Sequence, residues 1–147
     1  MNRPTPGRPF DVGLVSWFCR CSAGVIGSAY LKDPNDPKWK DDPATIAYLE
    51  FMKTRAPGYQ AGISDYVMGY SVAEVLTESL RRCGDDLTRE NLIKMAKNID
   101  GLQLSMFIPG VTIDVSQDDR RAIHKLQMVR YDGKQWVPIT DVIGAPD

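Results

Sequence analysis

One amphipathic helix constrains the fold of this chain more than any other feature. Its sequence, SDYVMGYSVAEVLTESLRRCG, runs from Ser64 to Gly84. Apolar residues recur there mostly in steps of three and four, which places on one helical face Tyr66, Val67, Tyr70, Ala73, Leu76 and Leu80. Ser64 and Asp65 are predicted to cap the first turn, and Gly84 is predicted to end the helix with a left-handed conformation. Because packing stabilises a helix more than propensity does, this face needs a partner surface.

Two further helices flank the central one. Asp42 precedes Pro43, which predicts a capped helix start and a helix to about Arg55. Helical spacing predicts that its core side comprises Ile46, Leu49, Phe51 and Met52. Thr88 is predicted to cap a third helix, whose apolar side comprises Leu92, Ile93, Met95, Ala96 and Ile99.

The rest of the chain reads as strands. GVIGSAY at residues 24–30 predicts a short strand before the helices. After Gly101 the hydrophobic period changes to two, which predicts strands at 111–115, 122–133 and 134–139, with a hairpin turn at 131–134. The predicted order is strand, three helices and three strands, so the fold class is α/β with segregated elements.

Size and charge exclude several classes of function. The chain has 147 residues, 43% of them hydrophobic, which suits one globular core. Eighteen basic and nineteen acidic residues give a net charge of −1, so nothing predicts binding to nucleic acid or to an anionic membrane surface. A small neutral or zwitterionic ligand fits this balance better.

The candidate metal and catalytic residues are few. A zinc site would need Cys19, Cys21 and Cys83 together with the single histidine, His124. Free or adventitiously paired thiols are the simpler interpretation, and we predict no metal and no cofactor. His124 lies on a predicted strand without a nucleophile motif nearby, so it is interpreted as a structural or surface residue and the chain as a non-enzyme.

Three polar clusters have ordinary explanations. The acid pairs Asp85-Asp86 and Asp118-Asp119 lie in turn-like sequence and are interpreted as solvated loop carboxylates. Lys38, Trp39 and Lys40 could form a cation–aromatic surface, but a solvated loop tip is the simpler interpretation.

Long runs of this sequence are typical of one family. They are GVIGSAYLKDPNDPKWKDDP (24–43), YVMGYSVAEVL (66–76), RRCGDDLTRENLIKMA (81–96), IPGVTIDVS (108–116) and KLQMVRYDGKQWVPITDVI (125–143). The chain resembles the C-terminal portion of ABC-transporter solute-binding proteins of the leucine/isoleucine/valine-binding group. The resemblance implies a partial type I periplasmic-binding-protein fold, with helices packed on a small sheet, incomplete relative to the two-lobed family. Residues 22–147 would be this part of the domain and 1–21 an unmatched segment.

The resemblance also implies a function. It predicts a solute-binding component, or a fragment of one, for branched-chain amino acids or related small carboxylates, with a membrane permease as partner and a periplasmic location. The opening segment carries no convincing signal peptide, because its apolar stretch is only about seven residues long. In this family, helix starts facing the cleft contact the solute, which makes Ser64, Asp65 and Tyr66 the predicted ligand-binding residues. The alternative is a truncated product without a ligand, which forms a homo-oligomer through an exposed apolar helix face.

Overall fold

The computed structural model describes residues 23–144, which form three α-helices, five strands and a short 3-10 helix. In chain order they are β1 (Ile26–Ala29), the 3-10 helix (Pro37–Trp39), α1 (Pro43–Arg55), α2 (Ser64–Cys83), α3 (Arg89–Ala96), β2 (Ile99–Leu102), β3 (Ile113–Val115), β4 (Lys125–Tyr131) and β5 (Trp136–Gly144). The mixed α/β class is confirmed. The expectations for residues 1–21, including those for Cys19 and Cys21, lie outside the described residues.

Two small antiparallel sheets accompany the helices. The first has the strand order β1-β4-β5, and the second pairs β2 with β3. The predicted hairpin turn between β4 and β5 is confirmed, because Asp132 accepts hydrogen bonds from the backbone N–H groups of Lys134 and Gln135, and Gly133 has a φ of 100°. Strand β2 was not predicted. Ile99, assigned to the apolar side of the third helix, instead begins β2 and is buried.

Helix α1 begins as predicted but buries a different face. Asp42 accepts a hydrogen bond of 3.0 Å from the backbone N–H of Thr45. The prediction that Ile46, Leu49 and Phe51 face the core is wrong, since all three are exposed. The buried face comprises Thr45, Tyr48 and Met52. The hydroxyls of Thr45 and Tyr48 donate to Asp42 and to the Ala61 carbonyl, so these polar atoms are satisfied inside the core.

Helix α2 has the predicted length, and its cap and face differ from the prediction. The N-cap residue is Ile63, and no side chain caps the first turn, so the capping roles assigned to Ser64 and Asp65 are wrong. Gly84 follows the helix with a φ of 58°. The face assignment is right at Val67 and also at Tyr66 and Tyr70, which are half-buried against the core. It is wrong at Ala73, Leu76 and Leu80, which are exposed. The buried residues of the helix are Val67, Ser71, Ser79 and Cys83.

Helix α3 is short and lies near the surface. Its predicted cap is confirmed, because the Thr88 hydroxyl accepts from the backbone N–H of Asn91 at 3.4 Å. None of its residues is fully buried, and Ile93 is exposed. Among residues 23–144, no helix combines the length and the apolar character needed to span a membrane.

The core is built around the segment between β2 and β3. This segment supplies Leu104, Met106, Phe107, Ile108 and Val111, which pack with Tyr48, Met52 and Val67 of the helices. Two backbone hydrogen bonds tie it to the chain after β1: Lys32 donates to the Met106 carbonyl, and Ile108 donates to the Tyr30 carbonyl. These bonds fix where the loop that follows Lys32 leaves the core.

Candidate functional site

The predicted site residues at the start of α2 have three different environments. Ser64 is half-buried and lines a cavity of about 580 Å³. Asp65 is exposed, and Tyr66 is half-buried with its ring 5.4 Å from that of Tyr59 in an edge-to-face contact. Neither of these two residues lines the cavity. The structure therefore brings only Ser64 to the cavity, and contact of the three residues with a ligand stays a prediction.

The floor of the cavity is one face of the three-stranded sheet. Gly27 of β1 pairs with Val129 of β4, which pairs with Pro138 of β5, so these residues form a row across the sheet. Trp136 lies on the same face, two residues before Pro138. A Cβ atom at position 27 would lie 3.5 Å from the Trp136 indole, which is ordinary van der Waals contact, so the ring lies directly over β1.

The opposite wall is the loop between β1 and α1. Asp33 Oδ1 accepts from the backbone N–H of Asn35 at 2.8 Å and from its side-chain amide at 3.2 Å. Burial raises the pKa of Asp33 more than these hydrogen bonds lower it. Asp36 caps the 3-10 helix by accepting from the Lys38 N–H. Asp33, Asn35, Asp36 and Trp39 all line the cavity.

Two lysine ammonium groups lie near the Trp39 ring. Lys38 Nζ lies 4.6 Å from the ring centroid, and Lys32 Nζ lies 5.3 Å from it. Lys32 is buried and also forms an ion pair of 3.0 Å with Asp42. The alternative of a cation–aromatic surface is therefore present for Lys38 and Trp39, and the second cation over the ring is Lys32, where Lys40 was expected.

The other described candidates, His124 and the loop acids, make local contacts. His124 Nδ1 is 4.0 Å from Asp119 Oδ2. A hydrogen bond from the Arg121 side chain lowers the pKa of Asp119. Asp86 accepts from the Thr88 N–H, as expected for a loop carboxylate. Within residues 23–144, no group of three or more histidine, cysteine or acidic side chains is placed to hold a metal ion.

Most of the cavity has no local signature in the sequence. In sequence, Asp33 comes before the three helices and Trp136 comes after them. The two residues line one cavity because β1 pairs with β4 and β4 pairs with β5. The useful signal was local: Trp39 and Trp136 both stand in polar, proline-containing stretches where a large aromatic residue needs an apolar neighbour.

Comparisons with known proteins define the fold. No family model and no curated protein sequence matches the chain. A solved structure does match: the crystal structure of a branched chain amino acid ABC transporter from Thermus thermophilus with bound valine is similar over 90% of this chain, with a TM-score of 0.69 and 18% sequence identity. The chain spans 36% of the length of that protein. The predicted resemblance is confirmed at the level of the fold, and the chain has a partial periplasmic-binding-protein fold.

Proposed function

We propose that this chain is a solute-binding part of an ABC transporter and that its solute is a branched-chain amino acid or a related small carboxylate. One observation carries the proposal, namely the likeness over 90% of the chain to a transporter protein with bound valine. The proposed role is binding without catalysis, with a membrane permease as the partner that receives the solute.

The start of α2 supports a site for the carboxylate. Among the described residues, no side chain caps its first turn, so the amide donors of a 20-residue helix are not satisfied by a neighbouring side chain. The positive end of the helix dipole lies at the same place, and Ser64, which lines the cavity, carries a hydroxyl. The proposed contact of Ser64 with the solute rests on this arrangement, and those of Asp65 and Tyr66 rest on the resemblance to the family.

Isothermal titration calorimetry tests the proposal. The chain is titrated with valine, leucine, isoleucine and simple aromatic acids, and we expect saturable heat with a negative heat-capacity change for at least one of them. Ser64→Ala should weaken that binding about fivefold or more, since one hydrogen bond to a charged group is lost. Thr77→Ala, an exposed position on the same helix, is the matched control and should bind as the unchanged chain does. Silence across the whole panel would contradict the proposal.

The proposed location is the periplasm, where a solute-binding protein meets its permease. To test this location, the host cells are subjected to osmotic shock, and the released fraction of the native protein is compared with that of a cytosolic marker. Retention with that marker would contradict the location without bearing on ligand binding.

Self-association is the second candidate function. The observation that favours it is an exposed aliphatic stripe on α2, formed by Val72, Leu76 and Leu80. Burying such side chains between two copies stabilises the pair by roughly 1.5–3 kcal/mol each. Sedimentation across a concentration series separates the candidates, because a chain that stays monomeric at high concentration does not use this stripe to form a homo-oligomer.

A further inference from the structure

Asp33, on the cavity wall, forms no ion pair with any of the described residues. Asp33 is half-buried, and its two hydrogen bonds from Asn35 both end on Oδ1. Among residues 23–144, no lysine, arginine or histidine nitrogen lies within 4.0 Å of the Asp33 carboxylate. Its second oxygen, Oδ2, has no described hydrogen-bond donor.

Asp42 is a comparable carboxylate that has both an ion pair and hydrogen bonds. The Lys32 ammonium lies 3.0 Å from Asp42 Oδ2, and the Thr45 N–H and hydroxyl donate to the same oxygen. Removing a charge from water is unfavourable unless a counter-charge and hydrogen bonds replace the lost solvent. Asp42 has both kinds of compensation, and Asp33 has only the bonds from Asn35.

The cavity lining is mixed: Lys38 and Lys134 also line it, and beside its polar groups it offers apolar surface for the body of a ligand. Trp136, Val129 and Pro138 form its floor, and Trp39 stands on the wall that also carries Asp33. The volume of about 580 Å³ lies within the range of roughly 300–1,000 Å³ typical of small-molecule sites. Indole faces attract cations, and the two lysines over Trp39 show that this ring is already in such contacts.

We propose that this cavity binds a primary ammonium group attached to a branched aliphatic or aromatic body, with Asp33 accepting the ammonium and Trp136 covering the body. The assignment extends the proposed function, on which it rests for amino-acid solutes. It goes beyond that function for amines, because a ligand without any carboxylate should also bind.

The first test uses three isosteric probes on the unchanged chain. 3-Methylbutylamine carries the ammonium, 3-methylbutan-1-ol is its neutral counterpart, and 3-methylbutanoate carries the opposite charge. Calorimetry should give an affinity for the amine at least tenfold above that for the alcohol, since hydrogen bonds to charged groups are the stronger ones. The carboxylate should bind no better than the alcohol. Equal affinities for amine and alcohol would overturn the proposal.

The second test changes the carboxylate. Asp33→Asn keeps the shape and removes the charge, and it should lower the amine affinity about tenfold or more. Asp41→Asn, an exposed position on the same loop, is the control and should leave the amine affinity unchanged. Unchanged amine affinity in Asp33→Asn would overturn the proposal. If Asp33→Asn does not fold, the amine–alcohol comparison on the unchanged chain decides alone.

Leucine separates this proposal from the broader one. If leucine binds and Asp33→Asn binds it equally well, the solute-binding function stands and the role of Asp33 is refuted. If the amine binds through Asp33 while no amino acid binds, the role of Asp33 stands and the amino-acid solute is refuted.

Discussion

The face of α2 that points toward the core carries two serines and a cysteine, whereas the face toward solvent carries branched aliphatic side chains. The inner residues are Val67, Ser71, Ser79 and Cys83. The outer ones are Val72, Leu76 and Leu80, which are 57%, 51% and 39% exposed. Half-buried apolar residues complete the side of the helix that packs against the core, namely Tyr66, Met68, Tyr70 and Val75.

The inner face tolerates serines because they need no external partner. Ser71 and Ser79 each donate a hydrogen bond of 2.9 Å to the backbone carbonyl four residues earlier, at Val67 and Val75. Their small side chains allow neighbouring segments to approach closely. The outer face keeps apolar surface in water, although burying it would be favourable. The difference shows that the inner face determines how this helix packs within residues 23–144, while the outer face is exposed there.

The largest expected effect contrasts two aspartates at helix starts, one in the packed region and one in the open region. Asp42 caps α1 and balances the buried Lys32, so Asp42→Ala should lower the free energy of unfolding by about 2–3 kcal/mol. Asp65 caps nothing and is exposed, so Asp65→Ala should change it by no more than about 0.5 kcal/mol. Urea unfolding of both variants is the measurement, and equal effects would contradict the assigned cap.

Acidic pH should reduce the effect of Asp42→Ala on stability. Burial raises the pKa of Asp42, but the hydrogen bonds from Lys32 and Thr45 outweigh it and hold the pKa below the usual 3.8. A carboxyl group whose pKa is lower in the folded state stabilises that state above the unfolded pKa, and the contribution is lost as pH falls through the folded value. The stability difference between the unchanged chain and Asp42→Ala should therefore shrink below about pH 4.

The second contrast uses one residue type on the two faces of α2. Val67→Ala removes two buried methyl groups and should cost about 2 kcal/mol of unfolding free energy. Val72→Ala removes the same groups from solvent and should stay within about 0.5 kcal/mol. Thermal unfolding at one pH and low protein concentration measures both. A larger loss at Val72 would mean that the outer face is covered.

The extent of α2 could be predicted from the sequence, and its orientation only in part. Helical spacing and Gly84 place the element well, because periodicity and helix ends are local properties. The orientation is different, since Leu76 and Leu80, which are exposed, are far more hydrophobic than the buried Ser71 and Ser79. The hydroxyl bonds that make the serines acceptable inside depend on the formed helix, which composition does not report.

The candidate site was even less accessible to sequence reasoning. Ser64 was found because a helix start is a local feature and the family resemblance gave it a role. The cavity that it lines depends on pairing between β1, β4 and β5, which join positions about a hundred residues apart. Strand alternation gives the faces of each strand but not which strands become neighbours, so Asp33 and Trp136 could not be placed together.

The third contrast concerns tyrosine hydroxyls. Tyr48 is fully buried and donates a 2.8 Å hydrogen bond to the Ala61 carbonyl, so Tyr48→Phe should cost about 1 kcal/mol. Tyr59→Phe alters an exposed ring and should leave stability unchanged. Burial raises the pKa of Tyr48 to about 12. Its contribution is complete below pH 10 and is lost as pH rises toward 12, so unfolding of Tyr48→Phe should depend less on pH in that window.

The smallest expected effect on stability is at the outer face of α2, where Leu76 is already in water. Leu76→Gln should change the unfolding free energy of the dilute chain by no more than about 0.5 kcal/mol, because little burial is lost. Thr77→Gln, at the next exposed position, is the control for a new amide on the helix. At high concentration the two should differ, since only Leu76→Gln removes apolar surface from the stripe and should shift the sedimentation coefficient toward the monomer. A loss above 1 kcal/mol at Leu76 in dilute solution would show that the stripe packs within one chain, and the contrast between the two faces of α2 would then disappear.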